Sequence, residues 1–548
     1  MSARRKKNHK YIFVAGGVMS GVGKGITTAS IGTILQSMGY QVNLAKVDPY
    51  LNVDAGTMNP TEHGEVFVMN SGLETDQDMG NYERFLNQDL APQNYMTSGM
   101  IYKHVIDKER NLGYGGKCIE AIPDIRDEIL ARYKKIGAIE GSDITLIEIG
   151  GTIGDYQNAL FMEAARVLKL KYPQDVLFIM VSYLPVPGKL GEMKTRPTQN
   201  AARQLNSYGI NADFIVARSE IALDDKRKEK LANTCNILKE NVISAPDIDS
   251  IYDVPLNFEK DEIGKMITRA LGLTHRKPDL KKWQAFVKSR KTAEKKVKIA
   301  VVGKYFDTGD FVLADSYYSV IEAIKYSAYK FGAKPELTWI NSKVYDENPG
   351  KVKELKDFDG IIVPGGFGEK GIEGKIAVIK FARENKIPYF GLCYGMQLLV
   401  IEYARNVLGM DAHTAEIRPD HVENVIDIMP DQKKKLEDKD YGGSMRLGSY
   451  VCKLKDGTIA RSAYGAAEII ERHRHRYEVN PNFIEQLSSA GLVFSGTSPD
   501  GKLMEIAELP KSKHPFMLGT QFHPEFLARP LSPHPLFSEF MKVILGKK

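Results

Sequence analysis

Short apolar runs separated by longer mixed segments dominate the first half of the chain. Each run has four to seven residues rich in Val, Ile and Phe, and the runs lie at 11–15, 41–47, 144–149, 176–181 and 214–217. Short, largely apolar runs separated by helical or loop segments are typical of strands in a parallel sheet, which is covered by helices on both faces. The pattern therefore predicts an α/β domain built on a parallel sheet.

A second series of apolar runs starts at 297–303 and continues at 360–362 and 387–390. Because 548 residues are too many for one hydrophobic core, two separate α/β domains are expected. The predicted boundaries are 1–275 for the first domain and 298–548 for the second.

The stretch between these domains, 276–297, is rich in lysine and contains Trp283, Phe286 and Val287. Apolar residues embedded among charges predict an interdomain helix followed by a linker. A nucleic-acid-binding arm is the alternative interpretation, but runs of charge more often form a solvated face.

The amino-acid composition limits the classes of protein to which the chain can belong. Hydrophobic residues make up 43% and charged residues 26% of the chain, which is ordinary for a globular protein. No apolar run reaches the roughly 18 residues of a membrane span, and the basic N-terminus lacks the apolar segment of a signal peptide. The four cysteines show no pairing pattern, and the net charge of +6 is mild. We therefore expect a cytoplasmic enzyme with no membrane or nucleic-acid partner.

A candidate nucleophile lies in the segment Gly-Leu-Cys-Tyr-Gly at 391–395. The apolar run 387–390 precedes it, and a helix-like segment at 396–400 follows. Strand, tight turn and helix with a thiol at the apex describe a nucleophile elbow, in which flanking glycines tolerate a strained backbone. A lone cysteine is more often a buried small hydrophobe, so Cys393 needs partners for the catalytic interpretation.

Those partners are predicted near the end of the chain and in a glycine-rich turn. His523 and Glu525 are two residues apart, which on a strand would place both side chains on one face. A thiolate needs a base, and the base needs an orienting carboxylate, so a Cys393–His523–Glu525 triad is available. The turn at 363–368 contains Gly366, and its backbone N–H groups are candidates for an oxyanion hole.

The N-terminal strand leads into a glycine-rich loop at 15–25, followed by a predicted amphipathic helix at 26–38. Backbone N–H groups, the helix N-terminus and Lys24 together suit a phosphate. The loop is not a regular Walker A sequence, because the spacing from Gly17 to Gly23 is one residue too long. Gly25 also stands where a Ser or Thr would hold Mg²⁺, so carboxylates elsewhere must hold the ion.

Several further motifs carry a resemblance over essentially the whole chain. They are the glycine-rich loop itself and the segments 46–52, 56–60, 63–68, 74–76, 82–85, 147–152, 194–199 and 472–480. In order and in sequence they resemble the CTP synthase family. The segments around Cys393, His523 and Gly366 resemble the class I glutamine amidotransferases.

The resemblance implies a fold and an activity. The fold is a doubly wound, P-loop-like nucleotide-binding amidoligase domain followed by a second α/β, class I glutamine amidotransferase domain. The activity is ATP-dependent phosphorylation of UTP at O4, followed by displacement of that phosphate by ammonia to give CTP. Glutamine hydrolysis supplies the ammonia. The family uses Mg²⁺ and ATP, is activated by GTP and inhibited by CTP, and forms a homotetramer whose UTP pockets lie between subunits.

The resemblance also implies residue roles. Cys393, His523 and Glu525 act in glutamine hydrolysis, while Lys24 and Lys46 stabilise the transferring phosphoryl group. The ATP-binding residues are Gly21, Val22, Gly23, Lys24, Gly25, Ile26 and Asp78, and the metal ligands are Asp78 and Glu148. The UTP- and CTP-binding residues are Ser20, Asp155, Tyr156, Gln157, Lys194, Thr195, Arg196, Pro197, Thr198, Gln199 and Lys230.

On the same basis, glutamine contacts Gly366, Leu392, Tyr394, Gly395, Met396, Gln397, Glu416 and Arg476. His63 and Val66 would line the gate for ammonia, and the lysine-rich stretch 430–443 would form part of the GTP site. Two departures from the family pattern stand out. Arg196 replaces a common lysine, and Gln157 stands where the family often carries glutamate.

Two other functions remain alternatives at this point. A cobyrinate-type amide synthase also pairs a phosphate-loop ATPase with an amidotransferase, but it would lack the 194–199 motif. A partitioning-type ATPase has a similar deviant phosphate loop, but it has no use for a Cys-His-Glu triad.

Overall fold

We describe the fold from a computed structural model of the chain. The structure describes residues 9–547, except 140, 189–191, 304–306, 309–310, 313, 430–431, 433–442 and 444. Most of the lysine-rich stretch 430–443 therefore lies outside the described residues. Within the described part of the chain, no helix has both the length and the apolar character needed to cross a membrane. The chain forms two compact units, residues 1–54 with 81–287, and residues 55–80 with 288–548.

The first unit is built on a seven-stranded sheet in which every pairing is parallel. In spatial order its strands are Tyr95–Thr97, Val42–Asp48, Ile144–Thr152, Lys10–Gly16, Val176–Tyr183, Phe214–Ser219 and Val242–Pro246. All five strands predicted in this half are present, each within three residues of the predicted bounds. The chain order reverses beside the central strand, Lys10–Gly16, so the glycine-rich loop begins at a topological switch point, where α/β sheets bind ligands.

Helices cover this sheet. They are Lys24–Ser37, Ser98–Arg110, Arg126–Gly137, Ala159–Lys171, Arg196–Ser207, Asp225–Cys235, Val254–Phe258 and Ile263–Ala270, with Gln77–Leu86 and Lys281–Lys291 at the junctions with the second unit. The sheet and helices enclose a core of aliphatic and aromatic side chains that are almost fully buried, such as Phe13, Phe178 and Tyr133.

The helix after the glycine-rich loop differs from the prediction of an amphipathic helix. Residues 27–35 of Lys24–Ser37 are all buried, so the helix presents no polar face. A Cβ at Gly32 would lie 2.9 Å from Leu44 of the sheet, and one at Gly264 would lie 2.8 Å from Ile34. The helix Lys24–Ser37 is thus packed between the sheet and the helix Ile263–Ala270. The hydroxyls of Thr28 and Thr33 donate to backbone carbonyls of their own helix, Lys24–Ser37.

The basic stretch before the second unit contains the predicted helix, Lys281–Lys291. Trp283 is 2% exposed, and its indole N–H donates to the Tyr252 carbonyl at 2.8 Å. Its ring also packs against Phe85 and Phe286. The aromatic residues therefore belong to the core of a folded unit, and the lysines of the helix face solvent.

The second unit contains a nine-stranded mixed sheet. In spatial order its strands are Ala333–Asn341, Lys295–Gly303, Gly360–Val363, Tyr389–Leu392, Met517–Thr520, Met504–Glu508, Val493–Thr497, Arg446–Leu454 and Glu468–His475. The first five are parallel, and the remaining pairings are antiparallel. Because parallel strands end at a common edge, the residues after Val363, Leu392 and Thr520 are brought side by side.

Helices and three small sheets complete this unit. The helices are Pro60–His63, Tyr318–Lys330, Lys343–Glu347, Ile372–Asn385, Tyr394–Leu408, Ile459–Tyr464, Ile484–Ser489 and Pro535–Ile544. The small sheets are His413–Thr414 with Asn424–Ile428 and Tyr477–Val479, Phe67–Val68 with Glu74–Thr75, and Asp307–Thr308 with Phe311–Val312.

The segment 55–80 packs with the second unit although it precedes most of the first unit in the chain. Alternation along the strand Glu468–His475 explains how it is held. On one face of that strand, Arg472 donates to Asn70 Oδ1 at 2.6 Å and to the Val68 carbonyl at 3.1 Å. Two residues later Arg474 pairs with Glu74 at 2.8 Å. Nothing in the sequence pattern predicted this arrangement.

Candidate active site

Cys393 lies at a strained turn between the strand Tyr389–Leu392 and the helix Tyr394–Leu408. Its backbone has φ 48° and ψ −98°, an unfavourable conformation for a residue with a side chain. The predicted nucleophile elbow is therefore present, with one correction. The strain lies at Cys393 itself, whereas Gly391 and Gly395 permit close approach. A Cβ at Gly391 would lie 2.7 Å from the Gly395 backbone, and one at Gly395 would overlap the Val363 carbonyl oxygen.

This crowding gives a test of the elbow. Gly395→Ala should lower the thermal midpoint of the second unit and reduce glutamine hydrolysis more than tenfold, because overpacking at a buried turn costs about 1–3 kcal/mol. Thermal unfolding followed by fluorescence, together with glutaminase rates, measures both effects. The matched control is Gly350→Ala, where a Cβ would meet nothing within 4 Å. Equal behaviour of the two variants would contradict the assignment.

His523 and Glu525 are positioned differently from the prediction. They do not lie on a strand: the strand ends at Thr520, and His523 precedes the 3₁₀ turn Pro524–Leu527. The turn nevertheless brings Glu525 Oε1 to 2.7 Å from His523 Nδ1. Pro524 favours this local geometry because its ring fixes φ for the first residue of the turn. The other ring nitrogen of His523 is buried and makes no hydrogen bond of ordinary geometry among the described residues.

The charge state of His523 follows from its neighbours. Burial lowers its pKa, but the Glu525 carboxylate and the Cys393 sulfur raise it, and the pKa reaches about 10. A positively charged imidazole at neutral pH is the proper partner for a thiolate. The ring also stacks on Phe526, with centroids 5.1 Å apart, which holds its orientation.

The turn after Val363 closes the site from the opposite side. A Cβ at Gly365 would lie 3.0 Å from His523 Cε1 and 3.7 Å from the Cys393 Cβ. The three parallel strands thus deliver a glycine turn, a thiol and an imidazole to one point. The turn at 363–368, which contains the predicted oxyanion-hole residue Gly366, therefore lies beside Cys393 and His523 at Gly365.

Several predicted glutamine-binding residues surround this point. Glu416 Oε1 accepts from the Gly368 N–H at 2.6 Å. Gln397 is 3% exposed, and its amide donates to the Tyr477 carbonyl at 2.9 Å. The others predicted here are Leu392, Tyr394 and Met396, which are buried, and Arg476, which is half-buried.

A buried network of charges lies behind the triad and was not predicted from the sequence. Arg446 donates to Glu505 at 2.7 Å and to Glu478 at 3.1 Å, and His473 contacts Glu505 at 2.8 Å. Burial raises the pKa of Glu478 well above its usual value. Burial also acts on Glu505, but His473 and Arg446 hold its pKa below the usual value. On the strand Glu468–His475, His473 lies between Arg472 and Arg474 and therefore on the opposite face, and this alternation was the available signal for His473.

A cluster of Asp411, His413 and His421 flanks the segment that carries Glu416, with candidate ligand atoms within 4.8 Å of one another. Both ring nitrogens of His413 face guanidinium groups, Nδ1 that of Arg405 at 3.0 Å and Nε2 that of Arg418 at 3.1 Å. A metal ion on Nε2 would require a proton on Nδ1, pointing at the Arg405 donor. The cluster is therefore a hydrogen-bonded support for the segment rather than a cation site.

In the first unit, the glycine-rich loop forms the turn that the sequence predicted. Gly21 and Gly23 have positive φ, and the helix begins at Lys24. Lys24 is 8% exposed, and its ammonium donates to the Gly151 carbonyl at 2.9 Å. A Cβ at Gly23 would lie 2.7 Å from the Arg218 guanidinium, so Arg218 is a second cation at this loop. Its place near the end of the strand Phe214–Ser219, two strands away from Lys10–Gly16 in the same sheet, was the missed signal.

The adjacent strands Val42–Asp48 and Ile144–Thr152 place Lys46 beside Glu148. These two residues are opposite each other in the parallel register, and Lys46 Nζ lies 2.9 Å from Glu148 Oε1. The Tyr82 hydroxyl donates to the other oxygen of Glu148. The second predicted metal ligand, Asp78, is half-buried in the first turn of the helix that contains Tyr82.

The predicted UTP and CTP residues lie around the same loop. A Cβ at Gly17 would lie 2.6 Å from the Ala201 Cβ, which places the helix Arg196–Ser207 directly against it. Thr198 accepts from Ser182 at 2.8 Å, and Gln199 donates to Thr195 at 3.1 Å. The remaining predicted residues are exposed or half-buried: Ser20, Asp155, Tyr156, Gln157, Lys194, Arg196, Pro197 and Lys230.

The predicted gate residues lie in the segment 55–80. His63 is exposed and Val66 is 6% exposed. Between them Glu65 accepts hydrogen bonds from the Ser319 N–H at 3.0 and 3.1 Å. This carboxylate lies at the N-terminus of the helix Tyr318–Lys330, where negative charge is favourable. The gate segment is thereby fixed to the unit that contains Cys393.

Comparison with known proteins decides the family. A family model described as CTP synthase N-terminus matches residues 10–273, and one described as class-I glutamine amidotransferase matches residues 312–543. The CTP synthase of Halalkalibacterium halodurans is 47% identical over 541 residues, which cover 98% of this chain and 99% of that protein. The chain belongs to the CTP synthase family. The resemblance noted in the sequence and the predicted fold class are thus confirmed.

Other relatives agree with this assignment. The CTP synthase of Carboxydothermus hydrogenoformans is 48% identical over 97% of this chain and 98% of that protein. The CTP synthase of Methanocaldococcus jannaschii is 47% identical over 98% of this chain and 99% of that protein. Among solved structures, the glutaminase domain of Trypanosoma brucei CTPS with bound acivicin is 34% identical. The match covers 46% of this chain and 95% of the solved chain, with a TM-score of 0.42.

Proposed function

We propose that this chain is a glutamine-hydrolysing CTP synthase, which converts UTP to CTP with ATP and the ammonia released from glutamine. The proposal rests on one observation: this member of the family contains two chemically distinct sites. One is a strained Cys393 with a charged His523–Glu525 pair, and the other is a glycine-rich loop with Lys24 at a helix N-terminus.

At the first site, the Cys393 thiolate, whose proton is held by His523, attacks the side-chain carbonyl of glutamine. Backbone N–H groups at Gly366 and after Cys393 stabilise the oxyanion. His523 then returns the proton to the departing ammonia, leaving a thioester that water hydrolyses. Glu525 keeps the imidazole oriented and charged, as its 2.7 Å contact and the raised pKa of His523 support.

At the second site, the loop and its cations bind the phosphates of ATP. Phosphoryl transfer depends mainly on positioning and charge stabilisation, which suits Lys24, Lys46 and the nearby Arg218. Lys24 and Lys46 stabilise the phosphoryl group as it moves to O4 of UTP. Ammonia then attacks C4 and phosphate leaves. The gate residues His63 and Val66 belong to the segment that ammonia passes on its way to UTP.

The residues present suit Mg²⁺. Glu148 is 1% exposed and offers a carboxylate beside Lys46, and Asp78 offers a second, half-buried one. Mg²⁺ prefers one or two carboxylates together with phosphate oxygens. When bound, the ion would neutralise phosphate charge. Until then Lys46 and Tyr82 hold Glu148 in place.

The nucleotide-binding surface supports assembly and regulation. Tyr156 is 99% exposed, and Ser20, Asp155 and Gln157 are exposed beside it. Such exposure of predicted UTP- and CTP-binding residues in one chain is consistent with a homotetramer that completes each pocket from neighbouring subunits. We propose GTP as activator and CTP as feedback inhibitor because the chain belongs to the CTP synthase family.

The proposed activity is tested by mixing the protein with UTP, ATP, Mg²⁺ and glutamine. CTP formation is followed at a wavelength where CTP absorbs and UTP does not. Omission of each substrate in turn should abolish the signal, and ammonium chloride should replace glutamine. No CTP from either nitrogen source in a folded protein would contradict the proposal.

Gln157 gives a prediction on feedback inhibition. A carboxylate accepts hydrogen bonds from ribose hydroxyls more strongly than an amide, because charge-assisted bonds are roughly twice as strong. The natural Gln157 should therefore cost on the order of 1 kcal/mol of CTP binding. Gln157→Glu should lower the inhibition constant of CTP several-fold, with inhibition still competitive with UTP. A glutamate variant no more sensitive to CTP would contradict this assignment.

A further inference from the structure

Gln521 contacts the candidate nucleophile. Its side chain is completely buried, and its amide nitrogen lies 3.6 Å from Cys393 Sγ. Because sulfur has a larger radius than oxygen, this is a hydrogen-bonding distance. The backbone of Gln521 is also held, since its N–H donates to the Glu505 carbonyl at 2.8 Å. The side chain is thus fixed at both ends, and it lies two residues before His523.

The orientation of the amide follows from its other partner. The Gln397 amide nitrogen is held by the Tyr477 carbonyl at 2.9 Å and lies 3.2 Å from Gln521 Oε1. An amide nitrogen can only donate, so the group of Gln521 that faces Gln397 must be its carbonyl oxygen. The NH₂ group therefore faces the sulfur. A chain of donors runs from Gln397 through Gln521 to Cys393.

A second contact of the sulfur shows what this donor does. Cys393 Sγ also lies 3.8 Å from the Arg474 carbonyl oxygen, which can accept from a thiol S–H but repels a thiolate. The Gln521 N–H does the opposite, because it stabilises negative charge on sulfur. The Arg474 carbonyl therefore favours the protonated thiol of Cys393, whereas the Gln521 amide favours the reactive thiolate.

We infer that Gln521 is a further catalytic residue of glutamine hydrolysis, donating its amide N–H to the Cys393 thiolate. This inference rests on the proposed role of Cys393. The proton leaves Sγ for His523, the sulfur–carbon bond forms, and the carbon–nitrogen bond breaks as ammonia takes that proton. When water cleaves the thioester, the sulfur departs as a thiolate again, and the same N–H stabilises it. Gln521 thus serves the free enzyme and the second half of the reaction.

The decisive variant is Gln521→Met, which keeps the length of the side chain and removes the donor. The rate of Cys393 alkylation by iodoacetamide should then require a higher pH, with its midpoint raised by about one pH unit, equivalent to a tenfold loss of thiolate. The value of kcat/KM for glutamine should fall about tenfold, mainly through kcat. CTP formation from ammonia should stay unchanged, which also reports that the variant is folded.

A matched control is Thr520→Val, at the end of the same strand. Thr520 is buried, and its hydroxyl donates to the Phe522 carbonyl rather than to the sulfur. This control should leave the alkylation profile as in the natural protein. If Gln521→Met does not fold, Gln521→Glu decides, because it keeps the acceptor for Gln397 and places a carboxylate at the sulfur. It should raise the alkylation midpoint at least as far.

The outcomes separate this inference from the proposed function. An unchanged alkylation profile and an unchanged kcat/KM in the folded variant would overturn the role of Gln521 alone. Glutamine hydrolysis that survives Cys393→Ala would overturn the proposed nucleophile, and the role of Gln521 with it. A raised midpoint in Gln521→Met but not in Thr520→Val supports the inference.

Discussion

Cys393→Ala should abolish CTP formation from glutamine while leaving CTP formation from ammonia intact. Without the thiol no thioester can form, and loss of a catalytic nucleophile costs roughly 10³-fold or more. The second site does not use the sulfur, so its rate with ammonium chloride should match that of the natural protein. Parallel assays with the two nitrogen sources measure both effects.

The matched control is Cys452→Ala. Cys452 is also buried in the second unit, and burial raises the pKa of its thiol, so it is an inert core residue. Its removal should leave both activities nearly unchanged. Loss of the ammonia-dependent reaction in folded Cys393→Ala would contradict the division of labour between the two sites.

Lys24→Ala should eliminate CTP formation from both nitrogen sources and spare basal glutamine hydrolysis. The Lys24 ammonium follows the glycine-rich loop and is held at the Gly151 carbonyl, close to where the phosphates of ATP would lie. Removal of a cation that stabilises a transferring phosphoryl group costs several kcal/mol, or about 10³-fold in rate. Product formation and glutamate release, measured in the same samples, separate the two activities.

Lys103→Ala is the control for this variant. Lys103 is paired with Asp107 at 2.9 Å in the same unit, both side chains are exposed, and it has no proposed role in binding. It should cost little, since ion pairs at the surface contribute about 1 kcal/mol or less. Near-normal CTP formation by Lys24→Ala would rule out the proposed phosphate site. Near-normal CTP formation by Glu148→Ala would rule out Glu148 as the proposed metal ligand.

The strands of both sheets could be predicted because their signal is local. A buried parallel strand must be apolar on both faces, and this requirement is visible in a few consecutive residues such as 176–181. The turn at Cys393 was visible for a similar reason. Its glycines are needed where two backbones approach, and such places are restricted to a few residue types.

The predictions from sequence were wrong where residues outside a local segment determined the structure of that segment. The spacing of His523 and Glu525 suggested a strand, but Pro524 and the end of the strand at Thr520 produced a 3₁₀ turn instead. The helix Lys24–Ser37 was expected to be amphipathic. A second layer of helices buries its outer face, and a local pattern carries no information about that layer.

The sequence by itself therefore determined the fold class, the glycine-rich turn before Lys24 and the tight turn at Cys393, because each depends mainly on short-range backbone geometry. Only the tertiary structure decided which side chains meet. The placement of 55–80 with the second unit, the Arg446–Glu505–Glu478 network and the contact of Gln521 with Cys393 all join residues far apart in the chain. Such contacts depend on how parallel strands share an edge and on which face each residue occupies, and these are properties of the assembled sheet.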